Sequence, residues 1–211
     1  HAVQSLVLVT RGRFDEAMIA TRKARSLDPL SPFINLGVAW VHHFAGRNED
    51  TVRELLDLLA LKPGLEEAGN ILIAAYEALG RFEEAAAIIS RQRCWGLSLD
   101  GAALLDAYKR AGAAEYWRER LGQMHQQVGA PPAVAFSFAI VQVQVGDYDR
   151  AIDQIERMVE HHVGGCAFVA IDPVLSRMRG IPRFDALVER VGVPLSEAVD
   201  SRNLTPEDAR R

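Results

Sequence analysis

The sequence predicts an all-α fold, a solenoid of about five helical hairpins followed by C-terminal capping helices. Gly12, Gly46 and Gly80 stand 34 residues apart, and each is followed by an arginine. Gly112 and Gly146 repeat the 34-residue spacing, while the step from Gly80 to Gly112 is 32. A period of this length marks stacked helix pairs, none of which buries its apolar face alone. With 211 residues, 49% of them hydrophobic, the chain can bury a substantial core, and elongated stacking suits it better than one sphere.

The helix pairs follow from that register, at residues 2–11 with 14–27, 32–45 with 48–61, and 66–79 with 82–93. Two further pairs are expected at 98–111 with 114–127 and at 132–145 with 148–161. After Gly12 comes Arg13-Phe14-Asp15-Glu16-Ala17, after Gly80 comes Arg81-Phe82-Glu83-Glu84-Ala85, and after Gly146 comes Asp147-Tyr148-Asp149-Arg150-Ala151. Each glycine falls where a tight turn needs positive φ, closing one helix before the next begins. The aromatic two residues later wedges between the paired helices, and the alanine three further on lets their backbones approach. Pro29 and Pro63, also 34 apart, end second helices, because proline cannot continue the hydrogen-bond ladder. Phe136-Ser137-Phe138 and Val141 to Val145 alternate like a half-buried strand. The following Gly146-Asp147-Tyr148 fixes that segment as helix instead, and Pro131-Pro132 suits a helix start. The chain opens mid-pattern, so the expectation is a fragment of a longer protein whose upstream domain is missing.

These motifs resemble the tetratricopeptide repeat over about residues 1–161, most closely in the first three repeats and the fifth. The resemblance implies a right-handed superhelix that displays a concave surface to a protein partner. The chain departs from the pattern at Asn35, Gly69, Gly101 and Ala135, where a large aromatic is common. The second repeat has Asn48 and Thr51 in place of an aromatic and an alanine, and the fourth is weakest, with Ala114 and Trp117 at the later places. Irregularity is therefore expected near residues 94–117. In residues 162–211, Asp172-Pro173-Val174-Leu175 and Arg179-Gly180-Ile181-Pro182-Arg183-Phe184-Asp185-Ala186-Leu187 resemble a known closing segment. It is that of bacterial tetratricopeptide regions attached to winged-helix regulators, nucleotide cyclases and Ser/Thr kinases. The segment is read as a cap of the same domain. Its helix 182–191 would bury Phe184, Leu187 and Val188 and turn Asp185, Glu189 and Arg190 to water. Thr205 would cap a short final helix.

The resemblance places the binding face on the first helix of each pair. The residues it implies are Phe33, Leu36, Trp40, His43 and Phe44, then Glu67, Asn70 and Glu77. Asp106, Lys109 and Arg110 follow, then Phe136, Ile140 and Val143. The aromatics of the first group share one helical stripe and suit a partner anchor, but neighbouring helices could equally bury them. The tail could likewise fold over Phe136, Ile140 and Val143. Asn70, Lys109 and Arg110 do not make up the residue set of a carboxylate clamp. Lys109 or Arg110 is expected to pair internally with Asp106.

Other chemistries find little support in the sequence. His42-His43 and His161-His162 are adjacent, so their side chains diverge by about 100° on a helix and offer no paired metal ligands. No phosphate loop, nucleophile elbow or HExxH motif occurs. The net charge of −4, with 21 Arg and three Lys scattered, argues against a nucleic-acid surface. No run approaches the ~18 apolar residues of a membrane span. Cys94 and Cys166 lie 72 residues apart with no spaced partner. The expectation is a cytoplasmic, non-catalytic protein-interaction domain of a bacterial regulatory protein, without cofactor or metal, binding an unidentified protein or peptide. Two alternatives remain: a sensory domain taking a small molecule or peptide in the concave groove, and a homo-oligomerisation module. A closed apolar cavity of a few hundred Å3 would favour the sensor, and an open groove the adaptor.

Overall fold

Five times over, a helix runs to a short turn and a second helix packs back on it. The structure, a computed structural model, describes residues 1–127 and 134–192. Among them are eleven α-helices and no strand. The first six are α1 (Ala2–Thr10), α2 (Phe14–Leu27), α3 (Pro32–Phe44), α4 (Asn48–Leu61), α5 (Glu66–Ala78) and α6 (Phe82–Ile89). They are followed by α7 (Gly101–Ala111), α8 (Ala113–His125), α9 (Ala135–Gln144), α10 (Tyr148–Glu160) and α11 (Pro182–Val191). Two 3-10 turns, Gly164–Phe168 and Leu175–Met178, lead from α10 to α11. Each helix packs on the next, and α3 also touches both α1 and α5. The alternating segment is helical through Gln144, as the register of Gly146 requires. The expected helix start at Pro131-Pro132 and the final helix capped by Thr205 lie outside the described residues.

The repeated glycines share one turn chemistry. Gly12, Gly46 and Gly80 all have φ of 72°, and Gly146 has 83°. The residue after each donates its amide to the carbonyl five positions earlier: Arg13 to Leu8, Arg47 to His42, Arg81 to Tyr76 and Asp147 to Gln142, at 2.8 to 3.0 Å. That bond satisfies an orphan carbonyl at the helix end while the left-handed glycine reverses the chain. Gly112 departs from this. Its amide bonds to Tyr108 at 2.7 Å, and it alone separates α7 from α8. The shortened 32-residue step thus ends at the one hairpin with a different turn.

Where the helices cross, the small residues are fully enclosed. Ala17, Ala85 and Ala151 have no exposed surface, and neither does Thr51, which stands at the same place in the second hairpin. Thr51 directs its hydroxyl to the Arg47 carbonyl at 3.1 Å, so its polar atom is satisfied within its own helix. Three departures from the repeat pattern have local causes. A Cβ on Gly101 would meet the Ala86 carbonyl at 2.3 Å, and one on Gly69 would meet the Gln92 side chain at 2.1 Å. Asn35 donates to the carbonyls of Pro29 and Ser31, closing the turn before α3. Helix α6 stops at Ile89, four residues short of the expected end.

The apolar interior forms two clusters. One runs from α3 to α9 through Leu55, Leu72, Ile73, Phe82 and Tyr116. The other joins Val9, Val38 and Val41 near the start of the chain to Ile152, Leu175 and Phe184 near its end. Phe184, Leu187 and Val188 are buried, while Arg183 on α11 holds Asp153 and Glu156 of α10 at 2.7 and 2.5 Å.

Enlarging Ala85 to Leu is expected to overpack the third hairpin and lower stability by about 1–3 kcal/mol. Gly101→Ala should do the same through the Ala86 carbonyl, a backbone atom with little room to retreat. Urea denaturation of the two variants measures both. Unchanged midpoints would show these crossings to be looser than described.

Candidate functional site

Helix α3 carries Trp40 and Phe44 one turn apart, so both rings project from the same stripe. Phe168, delivered by the 3-10 turn after α10, stacks on both. Its ring centroid lies 4.9 Å from that of Phe44 and 5.5 Å from that of Trp40, with interplanar angles of 0° and 18°. The C-terminal segment thereby packs over the aromatic stripe of α3. Behind it lies a cavity of about 480 Å3. His43, edge-on to Trp40, lines this space with no hydrogen-bond partner on Nδ1. Burial pushes its pKa down to about 4, so the imidazole is neutral at pH 7.

The opposite wall is ionic. Glu77 of α5 accepts from the Tyr116 hydroxyl at 2.5 Å and from the Arg120 guanidinium, both on α8. Arg120 also reaches the Cys94 sulfur at 3.3 Å and lies over the Trp117 ring at 5.5 Å. Both members of the ion pair are buried, with side chains 6% and 7% exposed. Burial alone would lower the Arg120 pKa, but Glu77, Cys94 and Tyr116 together raise it, so the guanidinium stays charged. Removing one partner of such a pair leaves an uncompensated buried charge, which costs about 3–5 kcal/mol.

Trp95 enters from the segment between α6 and α7. Cys94 and Leu97 exchange two backbone bonds of 2.8 and 2.9 Å, enclosing a two-residue turn. Trp95 has φ of 51° and Gly96 of 86°, the positive pair of a type I′ turn. A tryptophan in that conformation is strained by on the order of 1–3 kcal/mol. Its amide is held by the Asn70 side-chain oxygen at 3.1 Å. The chain has three tryptophans, Trp40, Trp95 and Trp117, and all three line the cavity.

Asp172 completes the site. It is 4% exposed, and its Oδ1 accepts from the amides of Val174 and Leu175 at 2.8 and 3.0 Å. Its Oδ2 has no partner among the described residues. Burial pushes the carboxyl up from 3.8 to about 6, against the pull of the two backbone bonds. Glu77 and Arg120 offset each other, so among the described residues Asp172 is the uncompensated charge of the cavity.

Of the residues expected on the binding face, Trp40, His43, Phe44, Asn70 and Glu77 converge on the cavity, joined by Phe136 and Ile140. Val143 is buried in the core behind them. Phe33 is 65% exposed and stands apart, and Leu36 packs half-buried against the first core cluster. Asp106, Lys109 and Arg110 lie exposed on α7, away from the cavity, as does Glu67 on α5. Arg110 pairs with Glu115 at 3.2 Å, not with the expected Asp106. The sequence reading did not single out Trp95, Arg120, Phe168 or Asp172 as site residues. Only the expected irregularity near residues 94–117 touches one of them, Trp95. Among the described residues, no three His, Cys, Asp or Glu side chains converge on a metal position, and no helix is long and apolar enough to cross a membrane. Comparison with protein-family models and with curated proteins gives no match to this chain.

Asp172→Asn keeps the oxygen that accepts from Val174 and Leu175 and removes the ionisable group. A carboxyl whose folded pKa is raised contributes full stability below about pH 3.8 and loses it as pH rises to about 6. The variant lacks that loss. Urea denaturation should find it equal to the parent near pH 3.5 and more stable at pH 7.5, by up to about 3 kcal/mol. A variant weaker than the parent at pH 7.5 would mean that the carboxylate has a stabilising partner.

Proposed function

We propose that the chain is a sensory domain of the tetratricopeptide type, a right-handed superhelix of helix pairs whose concave face takes a small molecule. The observation that carries this reading is the cavity of about 480 Å3. It lies within the range of small-molecule sites, about 300–1,000 Å3, and is mostly apolar with a few fixed polar groups. The repeated left-handed glycine turns and the enclosed Ala17, Ala85 and Ala151 support the repeat assignment. The stack of Phe168 on Trp40 and Phe44 favours the sensor over the peptide adaptor, because a docking peptide needs that stripe uncovered. The role is binding without catalysis, inside a regulatory protein. Occupancy would favour the closed arrangement of the chain's two ends and so bias an attached effector.

A second reading, a protein-binding or self-associating surface, rests on a different patch. Ile19, Leu30 and Phe33 are 70%, 77% and 65% exposed on and between α2 and α3.

The neutral, environment-sensitive dye N-phenyl-1-naphthylamine separates the two readings. One saturable site that brightens the dye and quenches tryptophan emission is the expected result. Ala74→Phe, which fills the cavity from α5, should weaken dye binding by about tenfold or more, and Phe33→Ala should leave it unchanged. Dye binding that survives Ala74→Phe but disappears with Phe33→Ala would move the function to the outer surface.

A further inference from the structure

We infer that the cavity takes an organic monocation, an arylalkyl ammonium, with its nitrogen on Asp172 and its apolar part against Trp40, Phe44 and Phe168. This rests on the small-molecule reading above and specifies the ligand's chemistry. Among the described residues, the charged side chains lining the cavity are Glu77, Arg120 and Asp172. Glu77 and Arg120 are committed to each other, and the glutamate also holds the Tyr116 hydroxyl. Asp172 has no such partner among the described residues. The nearby arginines are directed elsewhere, Arg177 to the Gln144 side chain at 2.9 Å and Arg179 to the Ala170 carbonyl at 2.5 Å.

A buried carboxylate with a free oxygen is an unstable element unless a cation arrives to meet it. At pH 7.5 the Asp172 carboxyl, with its pKa near 6, is ionised. The backbone ties it to the aromatic wall, because the Asp172 amide donates to the Phe168 carbonyl at 2.9 Å. The free Oδ2 therefore belongs to the same turn as the ring that stacks on Phe44 and Trp40. Aromatic faces attract a cation through their negative quadrupole, and more strongly when water is excluded. His43 is neutral and adds no opposing charge. An anion would meet Asp172 and find Arg120 already paired. A neutral molecule could donate a hydrogen bond to the carboxylate but would leave its charge uncompensated. The chemistry selects a cation with an apolar body.

Three probes of one size test this at pH 7.5: phenethylammonium, 2-phenylethanol and phenylacetate, each titrated by calorimetry and by tryptophan quenching. Phenethylammonium is expected to bind about tenfold or more tighter than the alcohol, with phenylacetate the weakest. Asp172→Asn retains the turn and should abolish the preference for the ammonium probe while N-phenyl-1-naphthylamine still binds. Equal or tighter binding of the alcohol or the acid overturns the inference, as does an ammonium preference that survives in Asp172→Asn. In both cases continued dye binding would leave the sensor reading standing. Loss of dye binding to the parent protein would remove that reading as well.

Discussion

Everything about the candidate site depends on one contact, the stack of Phe168 on Phe44 and Trp40. Aromatic pairs contribute about 0.5–1.5 kcal/mol beyond the area they bury, and this cluster links residues more than 120 positions apart in the chain. Without it, α3 would present an exposed aromatic stripe, and α9 would face water across an open groove. With it, Phe168 forms part of the wall of a partly open cavity, and the second core cluster takes in residues from Val9 to Val188. The closing element is the segment of two 3-10 turns, and between them the bond from the Asp172 amide to the Phe168 carbonyl sets these two residues one turn apart.

The two buried acidic groups of the cavity play opposite physical parts. Glu77 has two partners, the charged Arg120 guanidinium and the Tyr116 hydroxyl, and through them it binds α5 to α8. Asp172 gains two amides and no charge partner. A chain selected only to fold would place asparagine there, since the amide oxygen serves the turn without the desolvation penalty. Retaining the carboxylate makes sense if something outside the chain supplies the missing positive charge. Trp95 points the same way, because a tryptophan in left-handed backbone geometry weakens the fold but places an indole on the cavity wall.

The fold was legible because its signals are local. A glycine that must adopt positive φ and an alanine that must fit a helix crossing each leave a mark at a fixed offset, and the period sums those marks over 160 residues. The helix boundaries followed to within a few residues except at α6. There the Cys94–Leu97 turn cuts the helix short, and nothing in Arg91-Gln92-Arg93 announces it. The site was half legible. Trp40, Phe44, Asn70 and Glu77 could be placed because they lie on first helices, where the register alone determines the face. Arg120 sits on a second helix and looked like one more surface arginine among 21. Phe168 and Asp172 lie beyond the last repeat, where no period carries them, and their role arises from a long-range closure that spacing does not encode. The turn glycines, by contrast, needed no tertiary knowledge at all.

The shared core of the two chain ends also bears on how the molecule comes to be made. Helices α1 to α3 leave the ribosome more than 100 residues before Phe168 and Leu175, the groups that complete their packing. The middle hairpins contain mostly neighbour contacts and can assemble as they emerge, whereas the terminal core waits for Phe44 and Phe168, 124 positions apart, to meet. Chain synthesis thus precedes closure. For that interval the aromatic stripe of α3 is uncovered, an apolar surface of the kind that chaperones shield.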